Sequence, residues 1–167
     1  MGLRDRGKTK FKMRQELLSF GDDFWIEDEG GNRAFRVDGK ALRVRDHFSL
    51  VDAGGNEVAS IKERKLGRDK MVIELAGGNK VVVKKAVVGV RDRFIIDVDD
   101  GRNMKAHGNI VDHEYEIERD GLGRGKVAEI SKKWFRVRDT YGVEMEPDAD
   151  VAMILAITVA IDALARD

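Results

Sequence analysis

Ser19, Ser49, Ser60 and Ser131 with His47, His107 and His113 are the groups from which this chain could build a hydrolytic centre. None of the serines sits in a nucleophile-elbow sequence, so no serine is placed beside a base by local spacing alone. With no cysteine there is no thiol nucleophile, no disulfide and no thiolate metal site, and three histidines supply little for an imidazole-rich cluster. His47 and His113 directly follow Asp46 and Asp112, while His107 lies in the stretch from Gly101 to Asn109. Asp97, Asp99 and Asp100 could offer oxygen ligands to calcium or magnesium. They lack the full spacing of an EF-hand loop, and aspartates are also what a hairpin turn requires. No catalytic residue, metal or cofactor is therefore assigned, and the expectation is a protein that is not an enzyme.

Basic residues recur in phase and are the better binding candidates. Lys62, Arg64 and Lys65 form one cluster, Lys84 and Lys85 a second, and Lys132 and Lys133 a third, followed by Trp134 and Phe135. Brought to one rim, such clusters would make a cationic ring able to hold phosphate groups. Glu63, Glu129 and neighbouring aspartates would equally neutralise it, leaving surface ion pairs worth under ~1 kcal/mol each. Trp134 followed by Phe135 places one ring on each face of an expected strand, and an exposed ring beside two lysines suits lipid headgroups or a protein partner. The ligand-binding candidates are thus Lys84, Lys85, Lys132, Lys133 and Trp134. Trp25, Trp134, Phe135 and Tyr141 could stack on bases. However, 31 basic residues balance 31 acidic ones, so nucleic acid is not the expected partner.

The elements that must position these groups follow an internal period. Asp23, Asp46, Asp69, Asp92, Asp112 and Asp139 each open a short apolar alternation, with successive steps of 23, 23, 23, 20 and 27 residues. Phe24/Ile26, Phe48/Leu50, Met71/Ile73/Leu75, Phe94/Ile96/Val98, Tyr115/Ile117 and Tyr141/Val143/Met145 are such alternations. Period two means a strand with one buried face. About ten residues after the aspartate, Gly31-Asn32, Gly55-Asn56, Gly78-Asn79 and Arg102-Asn103 mark turns, and a second strand follows each. The six aspartates are assigned to scaffold. A two-strand unit cannot bury its own apolar face, so the units must share a core, and closing into a ring removes exposed edges.

The centre is legible in composition. From Val151 to Ile161 there is no charge and no polar face, and Ala152, Ala156 and Ala160 recur at helical spacing. Eleven residues make about 16 Å of helix, short of a bilayer span, so burial on all sides is required. The expected fold is mainly β: about twelve strands in a closed barrel around an apolar C-terminal helix at about 149–165. Ile157 should lie in the common core. Residues 1–10 are expected to be a flexible basic arm and 11–167 the one domain, with no transmembrane segment.

Met13-Arg14-Gln15, Phe24-Trp25-Ile26 with Gly31-Asn32, the string Val37, Gly39, Leu42, Asp46, and Lys132-Lys133-Trp134 leading to Asp139-Thr140-Tyr141-Gly142-Val143 carry a resemblance. As a set they resemble the LURP-one-related family of the tubby C-terminal-like superfamily, over about residues 11–161. The resemblance implies a twelve-stranded tubby-like barrel wrapped on a hydrophobic C-terminal helix. Related tubby domains bind phosphoinositides, which implies anionic phospholipid as a partner by fold analogy alone. No lipid-binding position of those domains aligns to a residue here, and the cysteine and proline-rich segment of the scramblases are missing. The expected function is a non-catalytic binding or scaffold module for anionic phospholipid, with a protein-interaction module as the alternative. The expected location is the cytoplasm, or the membrane periphery if lipid is the ligand.

Overall fold

The computed structural model describes residues 7–14, 24–38, 47–64, 70–86, 93–121, 125–135 and 139–165. Twelve strands are present: β1 (Thr9–Arg14), β2 (Phe24–Asp28), β3 (Arg33–Asp38), β4 (His47–Asp52), β5 (Glu57–Arg64), β6 (Lys70–Leu75), β7 (Lys80–Ala86), β8 (Arg93–Val98), β9 (Met104–Asn109), β10 (Glu114–Arg119), β11 (Lys126–Ser131) and β12 (Thr140–Met145). Each pairs antiparallel with its neighbours in sequence, and β1 closes on β12 through six residue pairs from Thr9↔Met145 to Arg14↔Thr140. The last element, α1 (Val151–Ala165), is the expected apolar helix. β1 starts at Thr9, so residues 9 and 10 of the expected arm belong to the barrel wall.

The alternation dictates which side faces in. Phe48/Leu50, Met71/Ile73, Phe94/Ile96, Tyr115/Ile117 and Tyr141/Val143 are all buried. So is every residue of α1 from Met153 to Leu164, against walls that include β5, β6, β7 and β12. Ile157 is fully buried there. The hydroxyl of Thr158 donates to the Ile154 carbonyl at 2.8 Å, which offsets the cost of taking this polar group out of water.

Strand direction sorts the connections onto two ends. At one, the turn end, the Gly-Asn hairpins lie, and α1 starts there, with Asp150 Oδ1 accepting from the Met153 amide. In the β2–β3 hairpin, Asp28 Oδ1 accepts from the amides of Gly30 and Asn32, both at 2.9 Å; Asp52 does the same for Gly54 and Asn56. Gly31 and Gly55 stand at φ of 82° and 88°, the left-handed region that glycine enters without steric cost. The other, the loop end, holds the connections that carry the six period-marking aspartates. Asp23, Asp46, Asp69 and Asp92 lie outside the described residues. Asp112 is exposed in the β9–β10 turn, bonded to Asn109, and Asp139 precedes β12 at φ 60°.

One expectation is corrected. Trp134 and Phe135 do not sit on opposite faces of a strand; they follow β11 outside any strand, and both rings lie over Gly142 on the outer face of β12. A Cβ at Gly142 would stand 2.8 Å from Trp134 Cε3 and 3.0 Å from Phe135 Cε2. The turn reverses the chain over the sheet, and only a glycine lets both rings settle on one spot.

Candidate functional site

Strand register, rather than chain proximity, assembles the basic residues. On the outer face Arg64 of β5 is paired with Lys70 of β6, and Lys70 with Lys84 of β7. Lys84 is paired with Ile95 of β8, and Ile95 with Lys105 of β9. One lateral row across five strands therefore reads Arg64, Lys70, Lys84, Ile95, Lys105. Neighbouring strands are about 4.8 Å apart, so the row spans about 19 Å. Like charges facing each other across a sheet repel, by about 0.8 kcal/mol per pair at ~5 Å in water.

Counter-charges flank the row at two of its members, Asp97 beside Lys84 and Glu118 of β10 in register with Lys105. Lys84 Nζ lies 3.4 Å from Asp97, but both side chains are nearly half exposed, and such a pair is worth little. Among the described residues no carboxylate is within ion-pair distance of Arg64, Lys70 or Lys105. Ile95, in the middle of the row, is 44% exposed, one of two large apolar side chains so open among the described residues.

The other candidates are placed differently. Lys85 shares the inward parity of Val81 and Val83 at the loop end of β7. Lys132 and Lys133 follow β11 at that same end, four strands away from β7, so the two lysine pairs share an end without meeting. Lys133 Nζ is 2.8 Å from Glu129, and Lys126 holds the same carboxylate at 2.9 Å. Burial opposes ionisation of Glu129, but the bonds from Lys133 and Lys126 outweigh it and hold its carboxyl below the usual range. Lys133 also stands 5.0 Å above the Trp134 ring, with Lys10 at 5.8 Å. Trp134 is thus half-buried, its ring flanked by two ammonium groups and resting on Gly142.

The acidic group resolves into turn chemistry. Asp100 binds Arg102 through both its backbone amide and its guanidinium, and Asp97 faces Lys84. A cleft of about 280 Å³ at the turn end is lined by Arg102, Arg119, Asp148, Met153 and Ile154, but Arg102 is tied to Asp100 and Arg119 to Asp148. Ser60 Oγ lies 3.3 Å from His47 Nε2 on the outer wall. Among the described residues no carboxylate orients His47, so the pair lacks the third member of a triad.

A second polar group, inside the barrel, escaped the sequence reading. Near the C-terminal end of α1 the Asp162 carboxylate accepts a short hydrogen bond from the Tyr141 hydroxyl, and His113 stacks flat on Tyr141 with ring centroids 4.2 Å apart. His113 Nδ1 is 3.5 Å from Asp162 Oδ1, and among the described residues neither Nδ1 nor the buried Tyr115 hydroxyl has a hydrogen-bond partner. His113 adopts φ 55°, uncommon away from glycine. Burial pushes its imidazole down to about 4, with Lys132 adding to the effect, and burial pushes the phenols of Tyr115 and Tyr141 up, with Asp162 adding. One acid in an otherwise apolar buried helix must be paired, and Asp162 is the signal that could have found this cluster.

A family model described as LURP-one-related matches residues 9–162, the whole barrel and nearly all of α1. The chain belongs to the LURP-one-related family. This LURP-one-related chain is 26% identical over 150 residues to an uncharacterised protein of Bacillus subtilis, YxjI, with 90% of each chain covered. It also superposes on the X-ray structure of a protein from Arabidopsis thaliana with a TM-score of 0.70 at 19% identity, covering 95% of this chain and 92% of that one. That likeness establishes the fold alone. Among the described residues no helix of this LURP-one-related barrel is long and apolar enough to cross a membrane.

Proposed function

We propose that this protein is a non-catalytic module that docks on an anionic phospholipid surface through the outer wall of β5–β9. The observation that carries this reading is the register of Arg64, Lys70 and Lys84 as directly opposed cations, continued past exposed Ile95 to Lys105. Aligned like charges cost a fold, and a surface of phosphate headgroups gains from them. Each basic residue held near such a surface contributes about 1 kcal/mol, and an apolar side chain among them can enter the headgroup boundary. Four cations amount to weak, reversible, salt-sensitive attachment. Of the lysines singled out by spacing, Lys62 and Lys84 lie on this wall, Lys62 outside the lateral row, and Lys133 is committed to Glu129 and Trp134. The alternative of a protein partner at Trp134 lacks the open aromatic face it needs.

The test is sedimentation with phosphatidylcholine vesicles with and without phosphatidylserine at low salt. Retention only on the anionic vesicles, lost in Lys70→Gln/Lys84→Gln/Lys105→Gln, supports the reading. Equal retention on both vesicle types, or none on either, refutes it.

A further inference from the structure

A second lateral row begins on β8 and β9, beside the end of the first, and runs on across β10, β11, β12 and β1. Arg93 of β8 is paired with His107 of β9, His107 with Glu116 of β10, Glu116 with Glu129 of β11, Glu129 with Glu144 of β12, and Glu144 with Lys10 of β1. Three carboxylates therefore stand side by side, an arrangement that destabilises a sheet unless cations intervene. Two of them have such cations: Lys126 and Lys133 hold Glu129, and Lys8 and Lys10 hold Glu144. Among the described residues Glu116 has no ion pair.

Glu116 stands instead beside an imidazole and another carboxylate. His107 Nε2 is 3.1 Å from Glu118 Oε1, and one donor atom from each of His107, Glu116 and Glu118 lies within 4.8 Å of the others. All three side chains are partly buried and project from the same face of two adjacent strands, which a rigid closed wall holds in place. Donors bound to one metal at about 2.1 Å in tetrahedral geometry are about 3.4 Å apart. The His107–Glu118 contact already meets that separation, and rotation about the Glu116 side-chain bonds closes the rest.

We propose that His107, Glu116 and Glu118 form a binding site for a zinc-like divalent cation, with His107 Nε2 and one oxygen of each glutamate as ligands. The nitrogen donor selects zinc, cobalt or nickel over calcium and magnesium, which prefer all-oxygen sites. Three ligands on one convex face leave the outward positions to water or an incoming anion. The cation neutralises the one carboxylate of the row without an ion pair among the described residues, which otherwise has only the longer-range attraction of Lys126. The inference uses other residues than the membrane reading, although His107 shares β9 with Lys105 and Glu118 of β10 is paired with Lys105.

The test is calorimetric titration of the purified full chain with zinc, followed by cobalt for its ligand-field spectrum. One zinc per chain is expected, weakened ~10-fold or more in His107→Ala and in Glu116→Gln, with calcium and magnesium giving no comparable binding. His47→Ala, on the outer face of β4, should bind as the parent does. Unchanged affinity in His107→Ala, or no saturable zinc binding in the parent, overturns the proposal. Thermal melts of the variants confirm that these outer-face changes leave the barrel folded, so a lost signal reports the site.

Discussion

Protonating His113 should unfasten the barrel from within. Its ring is 7% exposed, stacked on Tyr141 and 3.5 Å from Asp162, and its pKa falls from 6.5 to about 4 mainly because burial penalises the cation. Lys132 pushes the same way, while Asp112 and Glu114 oppose, as does the pull of the Asp162 carboxylate 3.5 Å away, and burial outweighs them. Above pH 6.5 the imidazole is neutral in both folded and unfolded chains and contributes no pH dependence. Between 6.5 and about 4 the unfolded chain binds a proton that the folded one refuses, so stability falls as the pH falls. At 1.36 kcal/mol per pH unit, the full loss is about 3 kcal/mol, most of it reached by pH 4.5. That is a large share of the 5–15 kcal/mol typical of a domain. Urea unfolding at a series of pH values measures it. His113→Asn tolerates the positive φ, and His113→Phe retains a stacking ring; both should be less sensitive to pH between 7.5 and 4.5 by about 2–3 kcal/mol. Carboxylates that titrate lower do so in all three proteins and cancel. If parent and variants lose stability in parallel over that range, the imidazole does not carry the effect and the reasoning is wrong.

Three further outcomes follow from the packing and the wall. Ile157→Asp puts a carboxylate at a fully buried position inside the ring of strands. The desolvation cost of several kcal/mol, added to lost apolar burial, should abolish cooperative thermal unfolding, whereas a near-native melt would contradict the central helix. Gly142→Ala places a Cβ 2.8 Å from Trp134 Cε3, so it should destabilise by about 1–3 kcal/mol and shift Trp134 emission, measured in a Trp25→Phe background. An unchanged spectrum and melt would mean the two rings do not rest there. Lys70→Gln, Lys84→Gln and Lys105→Gln should each weaken binding to anionic vesicles about 5-fold. A Lys12→Gln change on the far wall, where Lys12 already faces Glu27 at 2.6 Å, should have a smaller effect.

The barrel was legible because its signals are local. Alternation in stretches such as Met71/Ile73 fixes an inward face, Asp28 and Gly31 write a turn, and a charge-free stretch from Val151 to Ile161 has nowhere to go but the centre. The wall proposed to meet lipid was half legible. Spacing singled out Arg64 and Lys84, but Lys70 and Lys105 join them only through the pairing register, which depends on loop lengths and on bulges such as those at Leu50/Val51 and Ile117/Glu118. Trp134 was misplaced because its glycine platform is eight residues away and is set by a chain reversal that alternation does not encode. The His113–Tyr141–Asp162 cluster unites a turn, a strand start and a helix end, a long-range meeting whose one local trace is the lone acid in α1.

The most direct measurement is vesicle sedimentation of the parent and of Lys70→Gln/Lys84→Gln/Lys105→Gln across a salt series on phosphatidylserine-containing membranes. The account predicts that the parent binds at low salt and is released as salt rises, with affinity about 100-fold lower in the triple variant. Binding that is indifferent to salt and to the three substitutions would contradict it.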